Sequence, residues 1–583
     1  MPNILKSKLV WQLTTALIAV LIIAPVLLNL AFIYKYGVNC VFWDQWEVVP
    51  LFDKLYSGNL SFADLFAQHN EHRILLPRLV MLGLGSLTHY NTVAEMYFAW
   101  FLLCLICFVL FKLFVRTFGF SSMTMAKFIP VVWLTFGLRQ YDNLLWGFQF
   151  VYFMVVLFFL LMVYLLAESR RFDWRFGLAI LCGLASTFSL AGGLLVWPIG
   201  LIQLVFTART TSKRLWGLDM IKTATWAVAG IAVYILYFAG YTQPQHTTDQ
   251  LYAIHDPLTS IIFGLVALGS PLSNNVFIAA AIGPFLLILY ILVGVIVIFK
   301  PDKWPVRFPL LALVLFTAAS AAVLLITRAE WGVGAAFVSR YTTTTVLGIT
   351  GLYMLALSVD FQNVNLKYFL WGALLSLLMA GVISTDCYAY LEKGKQAYTE
   401  RRAAAYYLVN YAGQSDENLG KLYPWPAITR ERIQTLVKYK LNVFSEPPPS
   451  AAYLSPVDAG PLFYIEDING RRPGSQKLLP IMLDLEDTIT IKGWAVDQIN
   501  SRAAGGIVID IDNGRMEIPA LYGIDRPDVA EYYKNQDYRL SGFESSLSAS
   551  AIGPGRHIVS IKVLAAKGQE YYQPVKILTL DIK

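Results

Sequence analysis

The chain is predicted to be a polytopic α-helical membrane protein of about eleven spans, followed by an all-β soluble sandwich domain. Three observations carry this expectation. Over 583 residues it is 56% hydrophobic and only 15% charged, with a mean hydropathy of +0.54, where a soluble domain averages about 25% charged. The apolar excess lies before residue 387, in runs long enough for a bilayer core, which takes about 20 helical residues. The last part of the chain alternates apolar and polar residues at period two, in short runs separated by Gly, Asn and Pro.

The first apolar run, Leu9 to Ile33, exceeds the roughly 7–15 residues of a secretory h-region and lacks a small-residue cleavage site, so it is expected to be a retained helix. Lys6 and Lys8 precede it and place the N-terminus in the cytoplasm. Spans are predicted at 9–33, 92–116, 124–138, 146–167, 176–189, 192–207, 223–240, 276–299, 308–327, 342–358 and 367–386. This set keeps the basic clusters Lys112/Arg116/Lys127, Arg170/Arg171/Arg175, Arg209/Lys213/Arg214/Lys222 and Lys300/Lys303/Arg307 on the inner side and puts the tail outside. The net charge of +7 therefore reads as membrane-orientation charge rather than a nucleic-acid footprint. Residues 257–273, PLTSIIFGLVALGSPLS, are short and punctuated by Gly and Pro, and read as an interfacial or re-entrant helix. Five cysteines do not make a disulfide framework; Cys104 and Cys107 form CxxC inside an apolar helix, where a buried structural pair is expected.

After residue 387 the chain turns charged and helical in period to about Leu441, and SEPPPS (445–450) reads as an extended linker. The runs 488–496, 506–512, 557–565 and 576–582 read as strands of an antiparallel sandwich. The domains are thus 1–390 in the membrane, 391–450 as connector and 451–583 as β domain. Asp510/Asp512 and Asp525/Arg526/Asp528 read as turn caps rather than metal ligands.

Functional candidates gather in the outer loops, 34–91 above all. FWDQWE sets Asp44 and Glu47 among interfacial aromatics, where a partly desolvated carboxylate suits a general base on an acceptor hydroxyl. The bland alternative is a capping Asp at the start of an amphipathic helix. HNEHRILLPRLV (69–80) reads as a juxtamembrane helix with His69 and His72 on one face, beside Glu71 and Arg73. The pair could hold a divalent metal with Asp44 or Glu71 as a further ligand, but a zinc site needs a third ligand that the sequence does not place, so a hydrogen-bonded cluster for sugar or phosphate is the expected reading and no cofactor is assigned. RQYDNLLWGFQF offers Arg139, Tyr141, Asp142, Asn143 and Trp146 for sugar contact. TRAEWGVGAAFVSRYTTTT offers Arg328, Glu330, Arg340 and Tyr341, with arginines suited to an anionic lipid headgroup or, alternatively, to snorkelling at the interface.

An acidic residue behind helix one, two juxtamembrane helices, about eleven spans and an outer C-terminal domain resemble the GT-C superfamily of membrane glycosyltransferases. Its members include the protein O-mannosyltransferases, the aminoarabinose transferase of lipid A and the mycobacterial arabinofuranosyltransferases. FWDQWE, AQHNEHRI, YDNLLWGFQF, SLAGGLLVWP and SRYTTT look like signatures of a bacterial group of that type, over roughly residues 1–390. The tail, with GWAVD, YGIDRPDVA and SGF, is similar to a β-sandwich module appended to bacterial surface-glycan proteins. The resemblance implies a multi-pass protein of the bacterial cytoplasmic membrane, with its C-terminal domain periplasmic or extracellular. It implies a polyprenyl-phosphate sugar donor with its phosphate on Arg340 or Arg328, and a glycan, lipid or protein acceptor. Asp44 would be the base and the anomeric centre would invert. The mannosyltransferases carry adjacent Asp-Glu in this loop, whereas here Gln45 and Trp46 intervene, so Glu47 and Glu71 are also candidates. The alternatives are an O-antigen-type polymerase or ligase with a diphosphate-linked donor, and a flippase of lipid-linked glycans, which would need charge deep in several spans.

Overall fold

A computed structural model of the chain describes residues 2–169, 172–208, 216–244, 251–359, 364–445, 455–457, 459–470, 472, 480–566 and 570–583. The prolines of SEPPPS and the basic residues Arg170, Arg171, Arg209, Lys213 and Arg214 lie outside the described residues. The chain divides into two compact units, and the division is not linear. One contains residues 1–37, 58–84 and 92–397; the other contains 38–57, 85–91 and 398–583. The outer loop that the sequence assigns whole to the membrane domain is therefore shared between the two.

In the first unit, helices occupy all eleven predicted spans. Among the described residues six are long and apolar enough to cross a bilayer: Val10–Tyr36, Thr92–Phe118, Gly147–Glu168, Asp219–Phe238, Val276–Ile298 and Pro301–Trp331. Others, such as Ser122–Thr135, Trp174–Thr187 and Thr342–Leu357, are shorter. Their outward faces match a lipid solvent. The Val276–Ile298 helix leaves Phe277, Phe285, Ile288 and Ile291 exposed, the pattern of a helix that is apolar all round.

The segment 257–273 forms a helix of 13 residues, Pro257–Gly269, capped by the Asp256 side chain, which accepts from the Thr259 amide. Small residues seat it against Val276–Ile298. A Cβ on Gly269 would lie 2.1 Å from the Ala279 carbonyl oxygen, and one on Gly283 would lie 1.9 Å from that of Leu265. Backbones meet there because neither glycine carries a side chain.

In the second unit, two sheets share one apolar core. Strands β1 (Ser455–Val457), β2 (Leu462–Ile468), β3 (Ile481–Leu483), β4 (Thr488–Asp497), β5 (Arg502–Ala503) and β6 (Gly506–Ile511) are followed by β7 (Met516–Pro519), β8 (Leu521–Ile524), β9 (Gly542–Ser548), β10 (Gly555–Leu564), β11 (Glu570–Tyr572) and β12 (Val575–Ile582). One sheet runs β2-β4-β9-β8 with β5 beside β4; the other runs β1-β11-β10-β12-β3, with β6 also on β10 and β7 on β6. Ile489, Ile491, Phe543 and Leu547 of the first sheet meet Ile507, Ile509, Val559, Ile561 and Leu578 of the second. The expectation of a purely antiparallel sandwich needs correction at two edges, where β1 pairs with β11 and β3 with β12 in parallel.

Helices Asp416–Gly420 and Pro426–Lys438 of the connector fold with residues 38–57 and 85–91 in this same unit. The Trp43 amide donates to the Leu422 carbonyl (2.9 Å), the Val41 amide to Asn442 Oδ1 (3.2 Å) and the Asn442 amide to the His89 carbonyl (2.7 Å). Tyr90 packs on Phe52 with ring centroids 4.6 Å apart and donates its hydroxyl to the Gln45 carbonyl.

Candidate functional site

Within the first unit, two sequence motifs far apart in the chain dock on each other. Residues 139–143 form a 3-10 turn, Leu138–Gln140, running into the short helix Tyr141–Leu145; residues 339–341 form another 3-10 turn that opens the Thr342–Leu357 helix. The Asp142 amide donates to Ser339 Oγ (3.0 Å). Asn143 Nδ2 donates to the Arg340 carbonyl (2.9 Å) and to Thr343 Oγ1 (2.8 Å), and Thr343 Oγ1 donates to Gln140 Oε1 (2.8 Å). Arg139 is buried. Its Nη2 donates to the Phe337 carbonyl (2.7 Å), its Nε to that of Ser273 (3.2 Å), and its guanidinium lies 4.3 Å over the Phe337 ring. Buried main-chain acceptors need donors, and the Arg139 fork supplies two.

Beside this platform lies an electrostatic cluster. Arg328 Nη2 is 2.7 Å from Glu71 Oε1, with side chains only 15% and 20% exposed. His72 Nε2 is 4.0 Å from the other oxygen of Glu71, and Arg328 and Arg340 are both within electrostatic range of the imidazole. Burial pushes His72 down to about 4, Glu71 pulls the other way, and the two arginines deepen the depression. Burial also opposes the charge of Glu71, but Arg328 and His72 outweigh it and leave the carboxyl below its ordinary range. The cluster thus keeps an ionised carboxylate beside a neutral imidazole at neutral pH. Arg340 is half-buried, 5.6 Å from the Tyr341 ring, with Tyr152 and Asp142 in electrostatic range. No carboxylate lies within ion-pair distance of it among the described residues. Burial drives the Tyr141 hydroxyl up to about 12, helped by the charge of Asp142.

No family model, curated protein or solved structure matches the chain. The site is therefore interpreted from its own chemistry.

Several expected residues are brought together in this unit: Glu71, His72 and Arg328 in one cluster, with Arg340, Asp142 and Asn143 linked to it through charge and the docked turns. Others are placed differently. Residues 69–72 are not the start of a helix, and His69 and His72 do not share a helical face. They close a tight turn, in which the His69 amide donates to the His72 carbonyl (2.7 Å) and the His72 amide to that of His69 (2.8 Å), with Asn70 at φ +48°. Asn tolerates that left-handed conformation. The helix begins only at Leu75, with Pro77 in its first turn, where a missing N–H is harmless. The His69 ring lies 5.4 Å from Phe148. Among the described residues no group of three or more His, Cys, Asp or Glu is placed to hold a metal ion.

Arg73 is a clamp on main chain. Its Nε donates to the Tyr237 carbonyl (2.6 Å), its Nη1 to that of Phe66 (3.0 Å) and its Nη2 to that of Ala239. It caps the end of the Trp216–Phe238 helix, whose last carbonyls have no partners of their own. Trp146 and Tyr341 are buried, whereas Glu330 is exposed and Trp331 presents a ring that is 47% exposed, 4.3 Å from the Arg328 guanidinium.

Asp44 and Glu47 belong to the second unit, in the 3-10 helix Trp43–Glu47. Glu47 is held: the Tyr423 hydroxyl and Arg432 Nη1 (2.9 Å) both donate to its Oε1, and Arg432 Nη1 also donates to the Trp46 carbonyl (3.0 Å). Asp44 is half-buried in the same turn.

Sequence reasoning missed Ser339, Thr343 and Gln140, which join the two turns, and Asp386, a buried acid whose Oδ1 accepts from the Leu138 amide (2.6 Å). Asp386 was readable as the only acid in its predicted span; the hydroxyl and amide links gave no signal. In the β domain, Asp510 pairs with Lys562 (3.1 Å) and Asp512 with His557 (2.7 Å).

Proposed function

We propose that the chain is a membrane glycosyltransferase that moves a sugar from a polyprenyl-phosphate donor to a hydroxyl of a surface glycan, lipid or protein, with inversion, at the outer face of the bacterial cytoplasmic membrane. Arg340 carries this reading. A half-buried guanidinium without a carboxylate in ion-pair reach favours an anionic ligand, and its planar fork suits phosphate. Arg328 is already satisfied by Glu71, so one guanidinium remains. One guanidinium suits a monophosphate donor better than the diphosphate of a polymerase or ligase. The acceptor hydroxyl loses its proton to a carboxylate as it attacks the anomeric carbon from the face opposite the leaving phosphate, and that single displacement inverts the centre. The candidate bases are Asp44, which the resemblance implies, and Glu71, which lies in the same unit as Arg340. Eleven spans, a GT-C-like arrangement and an outward-facing tail go with this reading.

The test uses the full chain in lipid nanodiscs with polyprenyl-phosphate sugars. Arg340→Ala is expected to raise the apparent KM for the donor by about tenfold or more, the equivalent of one charge-assisted hydrogen bond. Either Asp44→Asn or Glu71→Gln is expected to abolish turnover while the protein stays monodisperse. An unchanged donor KM in Arg340→Ala removes Arg340 from the site, and full turnover in both carboxylate variants removes the carboxylate base.

A further inference from the structure

Three motifs of the tail, GWAVD, YGIDRPDVA and SGF, have no part in the reading above, yet the fold sets their residues in a row. Tyr464 on β2 lies opposite Trp494 on β4, and Trp494 lies opposite Gly542 on β9. Residues directly opposite across antiparallel strands project from the same face of the sheet. Gly542 has no side chain, and the row needs that. A Cβ there would lie 2.9 Å from Ile524 Cβ and 3.0 Å from Arg526 Cγ, so the glycine lets Arg526 lie across the strand. The guanidinium is fixed by two carboxylates, donating from Nη1 and Nη2 to Glu466 (2.7 and 2.6 Å) and from Nε and Nη2 to Asp528 (2.9 and 2.5 Å). At the other side, Tyr533 packs edge-on to Trp494 at 5.7 Å and Tyr532 packs on Tyr533 at 4.9 Å. Tyr464 remains 55% exposed and Tyr532 79% exposed.

The charges decide the class of occupant. Arg526 is answered by Glu466 and Asp528, Arg539 by Asp525 (2.8 Å) and Lys492 by Glu544 (3.2 Å). A charged partner gains little here without breaking a bridge. A neutral polyhydroxylated partner breaks none. Each carboxylate has about four acceptor positions, more than Arg526 fills, and open aromatic faces take the C–H face of a sugar ring. We infer that this face of the β domain binds a neutral glycan chain, with sugar rings stacked on Tyr464 and Tyr532 and hydroxyls donating to Glu466 and Asp528. This inference does not rest on the proposed transfer reaction and stands whether or not that reaction is the right one.

The full chain in nanodiscs is titrated with a panel of neutral oligosaccharides (mannopentaose, isomaltopentaose, chitopentaose and a rhamnose tetrasaccharide) and with oligogalacturonate as the anionic control. At least one neutral oligosaccharide is expected to bind, with affinity unchanged by about 0.5 M NaCl. Tyr464→Ala and Tyr532→Ala are expected to weaken it by about tenfold each, an amount in keeping with loss of one ring contact. Tyr464→Phe, which keeps the ring, retains binding. Both tyrosines are exposed, so the variants fold. Absence of binding to every neutral member, binding undiminished in both alanine variants, or binding only of oligogalacturonate in a salt-sensitive way each overturns the inference. So does a fall in particle mass on Tyr464→Ala, which would assign the face to a second copy of the chain.

Discussion

The Arg328–Glu71 pair makes a quantitative prediction. At 2.7 Å, with side chains 15% and 20% exposed, the gross Coulomb attraction at an effective dielectric near 20 is about 6 kcal/mol. Much of that is offset by desolvation of the two ions, so the net value of the pair is far smaller than the cost of breaking it. Arg328→Gln leaves a carboxylate shut in beside Asn70 and His72 and is expected to destabilise the protein by about 3 kcal/mol. Glu71→Gln leaves a guanidinium that still lies on the Trp331 ring at 4.3 Å, and is expected to cost less, about 2 kcal/mol. The double variant loses both charges together, so its cost is expected to fall short of the sum by about 2 kcal/mol. That difference is the coupling energy, and loss of the Trp331 contact cancels from it. Equilibrium unfolding in bicelles by detergent titration, run on the four proteins, measures it. A surface pair gives about 0–1 kcal/mol in such a cycle. A coupling below about 0.5 kcal/mol would refute the premise that this cluster is shielded from water.

Two further outcomes follow from the same physics. His72 is held neutral, with burial lowering it from 6.5 to about 4. The folded state therefore binds fewer protons than the unfolded chain below the ordinary imidazole range, so stability is complete above that range and falls as pH falls toward about 4. Between about pH 6.5 and 5 the loss is expected to be about 2 kcal/mol, and His72→Gln is expected to flatten that slope in a pH series of melting temperatures; an identical slope in the variant refutes the assignment. Gly283→Ala drives a Cβ against the Leu265 carbonyl oxygen, 1.9 Å away, and is expected to destabilise by about 1–3 kcal/mol, read as a lower melting temperature, while Gly294→Ala, with open space at its Cβ, is expected to leave it unchanged.

What the sequence disclosed, and what it did not, divides by range of interaction. Period and hydropathy are local, and they placed a helix at each of the eleven predicted segments and the strands β4, β6, β10 and β12 to within two residues. β2 and β9 escaped because Glu466 and Asp467 interrupt one and Ser545, Ser546 and Ser548 dilute the other; their pairing with β4, not their composition, makes them strands. The turn at 69–72 was misread because spacing of three fits a helix face, while the signal against it was the left-handed Asn70 followed by Pro77. The division of residues 34–91 between two units was illegible for a different reason. It depends on contacts such as Val41 with Asn442 and Glu47 with Arg432, which link residues 401 and 385 positions apart.

The arginines of the first unit show how one residue type acquires different duties. Arg73 caps the end of the Trp216–Phe238 helix, Arg78 gathers the carbonyls of Asp64, Leu65 and Ala67, and Arg139 takes those of Ser273 and Phe337. These are orphan acceptors at helix ends and turns, and a buried fork of donors is the direct way to satisfy them. Arg328 instead neutralises Glu71. Once those demands are met, Arg340 remains a half-buried positive charge with tyrosines around it and Asp142 only in electrostatic range. Burial opposes that charge, Tyr341, Tyr152 and Asp142 favour it and prevail, and the guanidinium stays a cation where water is scarce. An anion that reached it would meet a charge little screened by water, and Asn143, docked on the Arg340 carbonyl, fixes the main chain that carries it.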